Sequence, residues 1–138
     1  MNIFPLSVRV FAVALLLCVH VSQSFAASES KSGSQYFAID TPFVVNLAGT
    51  TDNLSYLQVN VQFKLKKPEF RTQLQLQMPA IQHTMVMLLS DQTTDSIKSV
   101  QGKQALRENA LKSLQQLFQT LIGDPVIDDV YFTGFIIQ

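Results

Sequence analysis

The chain has 138 residues, 47% of them apolar, with ten basic and ten acidic side chains, two histidines and one cysteine. That length fits one compact domain; zero net charge removes the clustered cations that nucleic acid needs, and one cysteine builds neither a zinc site nor an internal disulfide. With no glycine-rich phosphate cradle either, composition points away from a metalloprotein, a nucleotide enzyme and a DNA binder.

Residues 1–26 hold 18 apolar side chains, concentrated in Val10-Phe11-Ala12-Val13-Ala14-Leu15-Leu16-Leu17-Cys18-Val19. Arg9 precedes this run, and Ser24-Phe25-Ala26 follows with small residues at the −3 and −1 positions of a cut after Ala26. A basic start, a short apolar middle and a small-x-small exit mark a secretory signal peptide. A marginal transmembrane anchor is the alternative. Ten helical residues span about 15 Å, half of the roughly 30 Å hydrocarbon core. Extending the helix backwards takes in Arg9, at about 3 kcal/mol near the bilayer centre. These magnitudes favour cleavage, and in both readings the basic end stays in the cytoplasm while the rest is exported. Leu17 is too bulky for a good lipoprotein cleavage site before Cys18, and removal of the segment leaves a mature chain without cysteine.

Residues 27–35, with the run Ser28-Glu29-Ser30-Lys31-Ser32-Gly33-Ser34-Gln35, are a polar linker that buries too little surface to order itself. Residues 36–138 form the exported domain. The stretch 36–47 mixes aromatic and β-branched residues around Pro42, which breaks the strand or confines it to a sheet edge. Residues 48–53 are a turn cluster. Leu57, Val59, Val61, Phe63 and Leu65 then alternate with Gln58, Asn60, Gln62, Lys64 and Lys66. A period of two sets one face against a core and the other towards water, and the turn joins the two strands as a hairpin.

Pro68 ends that strand, and 69–76 reads as a short helical piece. Pro79 suits the first turn of a second helix reaching about Ser90. Its Ile81, Met85, Val86, Met87, Leu88 and Leu89 cover more than one face, which points to burial or to a surface that meets a partner. Residues 91–99 are polar, with Ile97 and Val100 as apolar anchors. A third helix from about Gly102 to Ile122 carries an apolar stripe at three- and four-residue spacing: Leu106, Ala110, Leu114, Leu117, Phe118, Leu121 and Ile122. Gly123-Asp124-Pro125 stops it. Residues 126–138 form a closing strand with Gly134 as a candidate bulge. The expected fold class is α+β, a small antiparallel sheet of about three strands packed against two to three helices.

Groups able to do chemistry are sparse. His83 is the one histidine after the leader and lies on an apolar helix, where packing is the ordinary role. Asp124, Asp128 and Asp129 cluster at a turn without calcium-loop spacing. No serine sits in Gly-x-Ser-x-Gly. No catalytic residue, cofactor or metal site is expected, nor is a small-molecule substrate. Lys64, Lys66, Lys67 and Arg71 form one basic patch at a strand end, where such charges discourage edge pairing. The 14 glutamines in residues 27–138 give a polar, uncharged surface suited to docking within a preassembled structure.

The ordered motifs resemble one family. Tyr36, then Thr41-Pro42-Phe43-Val44-Val45-Asn46-Leu47, resembles the opening of the exported domain in the FliL family of flagellar basal-body-associated proteins. Tyr56-Leu57, Pro79-Ala80-Ile81, Leu88-Leu89-Ser90 and Gly102-Lys103-Gln104-Ala105-Leu106-Arg107 follow in the family's order. The ending Val130-Tyr131-Phe132-Thr133-Gly134-Phe135-Ile136-Ile137-Gln138 is similar to its terminal strand. The motif positions carried over as structural or interface residues are Pro42, Asn46, Leu47, Pro79, Gly102, Tyr131, Phe132, Phe135 and Gln138.

The resemblance implies a small domain on the periplasmic side of the inner membrane, similar to stomatin and prohibitin scaffolds. It implies a ring-like homo-oligomer at the stator and basal body, with support of motility and of rotational control during chemotaxis. Two features depart from the family: the apolar run is short and cleavable, and Gln82-His83 stands where a basic–acidic pair is frequent. A membrane scaffold unrelated to flagella and a small carrier of apolar ligands are the other classes compatible with the residues.

Overall fold

The computed structural model describes residues 34–49 and 55–138. The leader expected at 1–26, most of the linker and the turn centre at 50–54 lie outside the described residues. In chain order the elements are β1 (Tyr36–Ala38), β2 (Phe43–Asn46), β3 (Tyr56–Leu65), a 3-10 turn (Pro68–Phe70), α1 (Arg71–Leu76), α2 (Met78–Ser90), α3 (Thr94–Lys98), α4 (Val100–Ile122) and β4 (Ile127–Ile137). The class is α+β, with a four-stranded antiparallel sheet.

Strand β3 is the centre of that sheet. Its alternation acts as read: Leu57, Val59, Val61, Phe63 and Leu65 are buried, and Gln58, Asn60, Gln62 and Lys64 are half-exposed. Strand β4 runs along one edge of β3, from Leu57–Ile137 to Leu65–Ile127, while β1 and β2 lie end to end along the other. Between the pairs Ala38–Gln62 and Phe43–Val59, four residues (39–42) oppose only two (60–61). Pro42, which has no amide proton to give, sits in this excursion. The stretch expected as one strand over 36–47 is therefore two, which makes four strands from about three columns.

Strand β4 carries two bulges. Register shifts at Asn60/Val61 and at Lys64/Leu65 leave Thr133 and Asp128 as the extra residues. The first falls beside Gly134, where a bulge was expected. Each bulge adds local twist and re-aims a side chain.

Helices cover one face. Ile81, Met85 and Leu89 of α2 recur every fourth residue and are fully buried, as are Ala110, Leu114 and Phe118 of α4, with Leu106 nearly so. Such spacing lines one side of a helix. Helix α2 lies against β2, α4 against β4, and the two helices meet each other. Burying a side chain such as Phe63 or Phe118 contributes about 2–3 kcal/mol. The stripe expected on α4 is shorter than its pattern. Leu121 and Ile122 are exposed at the helix end, where Gly123 takes φ 78° and donates its N–H to the Gln119 carbonyl at 3.0 Å. Among the described residues nothing packs on the opposite sheet face, where Val44, Tyr56 and Ile136 are exposed around the amides of β3.

Helix α3 was not expected in the polar segment 91–99. Thr93 caps it: the Thr93 hydroxyl accepts from Ser96 N–H at 3.2 Å, and Ser96 Oγ accepts from Thr93 N–H at 3.1 Å. This reciprocal box satisfies two orphan donors, and Ile97 anchors the turn in the core. Ser99 then caps α4 by accepting from Gly102 N–H at 2.9 Å. A Cβ on Gly102 would stand 1.7 Å from the Ser96 carbonyl oxygen. Only a residue without a side chain lets α3 fold back this tightly on α4.

In an open helix a Gly→Ala change stabilises by about 1 kcal/mol. Gly102→Ala is expected to have the opposite sign, destabilising by about 1–3 kcal/mol because backbone must move. Chemical-denaturant unfolding of the variant beside its parent measures it.

Candidate functional site

The motif positions fall in five places. Pro42 lies in the β1–β2 excursion, Pro79 at the exposed start of α2 and Leu47 in the core. Asn46 and Gln138 share one end of the sheet: Asn46 is paired with Tyr56, and Tyr56 exchanges backbone hydrogen bonds of 2.8 and 2.9 Å with Gln138. Tyr131, Phe132 and Phe135 lie where the first turns of α4 approach β4, while Gly102, in the first of those turns, faces α3. This last place is the candidate site.

An open groove of about 330 Å³ runs there, with Val100, Lys103, Gln104 and Arg107 of α4 on one wall and Tyr131, Phe132 and Phe135 of β4 on the other. The capped start of α4 positions the first wall. The second wall is a strand whose consecutive side chains point to opposite faces, so a space touched by both Tyr131 and Phe132 sits at the strand's outer edge. The Phe132 and Phe135 rings lie 5.9 Å apart in a tilted arrangement. Lys103 Nζ stands 5.0 Å over the Phe135 ring, a contact worth about 0.5–1 kcal/mol at an exposed site.

Two ion pairs hold the surrounding frame. Arg107 Nη1 donates to Asp129 Oδ1, which also accepts from Val130 N–H at 2.8 Å, and this ties α4 to the edge of β4. Burial pushes the Tyr131 phenol up, with a hydrogen bond to Asp129 and that residue's negative charge adding to it. On the neighbouring row, Lys64 donates to Asp128 at 2.6 Å. The bulge at Asp128 brings that carboxylate to Lys64. The hydrogen bond, then the opposite charge, hold the Asp128 carboxyl below its ordinary value and the Lys64 ammonium above its own.

These pairs resolve the acidic and basic clusters seen in the sequence. Asp128 and Asp129 each have a cation of the chain as partner. Lys64 is paired, and Arg71 donates to the Tyr36 carbonyl at 2.7 Å while stacking 5.0 Å from the Phe37 ring. The basic patch is thus partly internal wiring. His83 is exposed on α2 beside a second shallow hollow with Met87 and Asp91. Met87 is 60% and Val86 40% exposed, so the apolar excess of α2 does face outward. Arg107 and Lys103 were visible only inside a family motif; the Arg107–Asp129 contact spans 22 positions and has no local signature.

Comparison with known proteins places residues 36–138 under the family model described as flagellar basal body-associated protein FliL. The flagellar protein FliL of Aquifex aeolicus (strain VF5) is 26% identical over 102 residues, covering 74% of this chain. The chain spans 60% of that relative's length.

The Lys64–Asp128 pair generates a pH signature. A lowered carboxyl contributes stability above its unfolded pKa and loses it as pH falls through the folded value; a raised ammonium contributes below its unfolded pKa and loses it as pH rises. Asp128→Asn is therefore expected to be less stable than the parent near neutrality. The two should converge below about pH 4 and again above about pH 10.5. Urea midpoints across that range check it; a pH-independent gap contradicts it.

Proposed function

Because the chain belongs to the FliL family of flagellar basal body-associated proteins, we propose that it acts at the basal body as a non-enzymatic accessory, a ring-forming scaffold on the periplasmic side of the inner membrane. In that role it supports the stator, motility and the control of rotation during chemotaxis. The observation that carries this reading is the family match over residues 36–138, which takes in every strand and helix of the described domain.

Physical features agree with contact rather than chemistry. Exposed Val44 and Ile136 on one sheet face, and Val86 and Met87 on the outer side of α2, are surfaces for neighbours. The Asp128 and Asp129 carboxylates are engaged by Lys64 and Arg107. Among the motif positions, Pro42, Leu47, Pro79 and Gly102 serve the fold. Asn46, Gln138, Tyr131, Phe132 and Phe135 lie at surfaces and edges open to partners. Removal of residues 1–26 would leave a soluble periplasmic chain held at the motor by such contacts.

Deletion of the gene in a strain without redundant copies is expected to reduce swimming, and swarming under load more strongly, with recovery on complementation. Unchanged motility under load contradicts the reading.

A further inference from the structure

The outer edge of β4 has no strand beside it among the described residues. Residues 130–138 along it carry no charge. Exposed edges are ordinarily blunted by charges, proline or a covering element, because their free N–H and C=O groups invite another strand. Here the groove lies directly alongside, between the edge and α4. That is the arrangement in which an added strand hydrogen-bonds to the edge and drops alternate side chains between strand and helix.

We propose that this edge and groove capture a short, extended segment of a partner protein, apolar in alternation and carrying one acidic side chain. The wall made by Tyr131, Phe132 and Phe135 takes the apolar side chains. A volume of about 330 Å³ is at the small end of ligand sites, enough for a few residues. Charge assigns the rest. Arg107 is neutralised by Asp129, whereas Lys103, on the same wall, has no carboxylate in salt-bridge reach among the described residues. The acidic group of the segment pairs with Lys103.

A second copy of this chain fits less well. Asp128 and Asp129 of its own β4 are already engaged by Lys64 and Arg107, so it would bring no free carboxylate to Lys103. The bulge at Thr133 also interrupts the edge within the groove, an irregularity that a short segment follows more easily than a full-length strand. This inference stands on the groove and goes beyond the motor reading.

The test uses the full-length protein, labelled with nitrogen-15, and two synthetic capped hexapeptides, Thr-Val-Phe-Asp-Val-Thr and the same sequence with Lys for Asp. Amide shifts confined to residues 100–107 and 129–135 are expected, with the Asp peptide about tenfold tighter at low salt. Lys103→Glu, an exposed change whose own spectral effect stays near its contact with the Phe135 ring, should reverse the preference. N-methylation of the peptide backbone should abolish binding. Equal affinity of the two peptides, shifts along β1 and β2 instead, or no shifts at millimolar peptide would overturn the proposal. So would self-association that broadens the same amides before any peptide is added, because a second copy would then own the edge.

Discussion

Strand β3 has a partner along both edges and a hydrophobic layer on one face, and the rest of the domain is arranged around that constraint. Its period of two decides which face the helices cover. A slip of one residue would turn Val59, Val61 and Phe63 to water and bring Gln58, Asn60 and Gln62 against α2 and α4. The cost of burying those amides without partners, together with the lost apolar burial, makes the register strongly specified. With β3 fixed, β1 and β2 share one edge and β4 takes the other. The bulges of β4 then set where Asp128 and Asp129 meet Lys64 and Arg107.

Much of this was legible in the residues. The alternation of β3, the break at Pro42, the fourfold spacing of Leu106, Ala110, Leu114 and Phe118, and the bulge beside Gly134 are local patterns, and local patterns can be read along a chain. Helix α3 was not legible, because one buried side chain, Ile97, gives no periodicity, and its stability rests on the hydrogen bonds between Thr93 and Ser96. Leu121 and Ile122 fit the stripe of α4 yet are exposed, since a helix can outrun the sheet beneath it. The groove was only half visible. Tyr131, Phe132 and Phe135 stood out as motif positions, but their joining to Lys103 and Arg107 depends on how α4 folds back over β4.

The charges show how a neutral chain uses its ions. Lys64, Arg71 and Arg107 are occupied by contacts within the domain, pinning the sheet's ends and the helix to its strand. Outside these contacts, exposed charges of both signs, among them Lys66, Glu69, Glu108 and Lys112, are interspersed with amides and a few aliphatic side chains. Such a surface provides little long-range steering and depends on close fit. Such a character is compatible with membership of a basal body-associated family.

Location in the cell tests this most directly. A functional fluorescent fusion, imaged together with a basal-body marker, should form foci coincident with basal bodies and lose them in cells that build none. An even distribution around the envelope, unchanged when basal bodies are absent, would contradict a role at the motor.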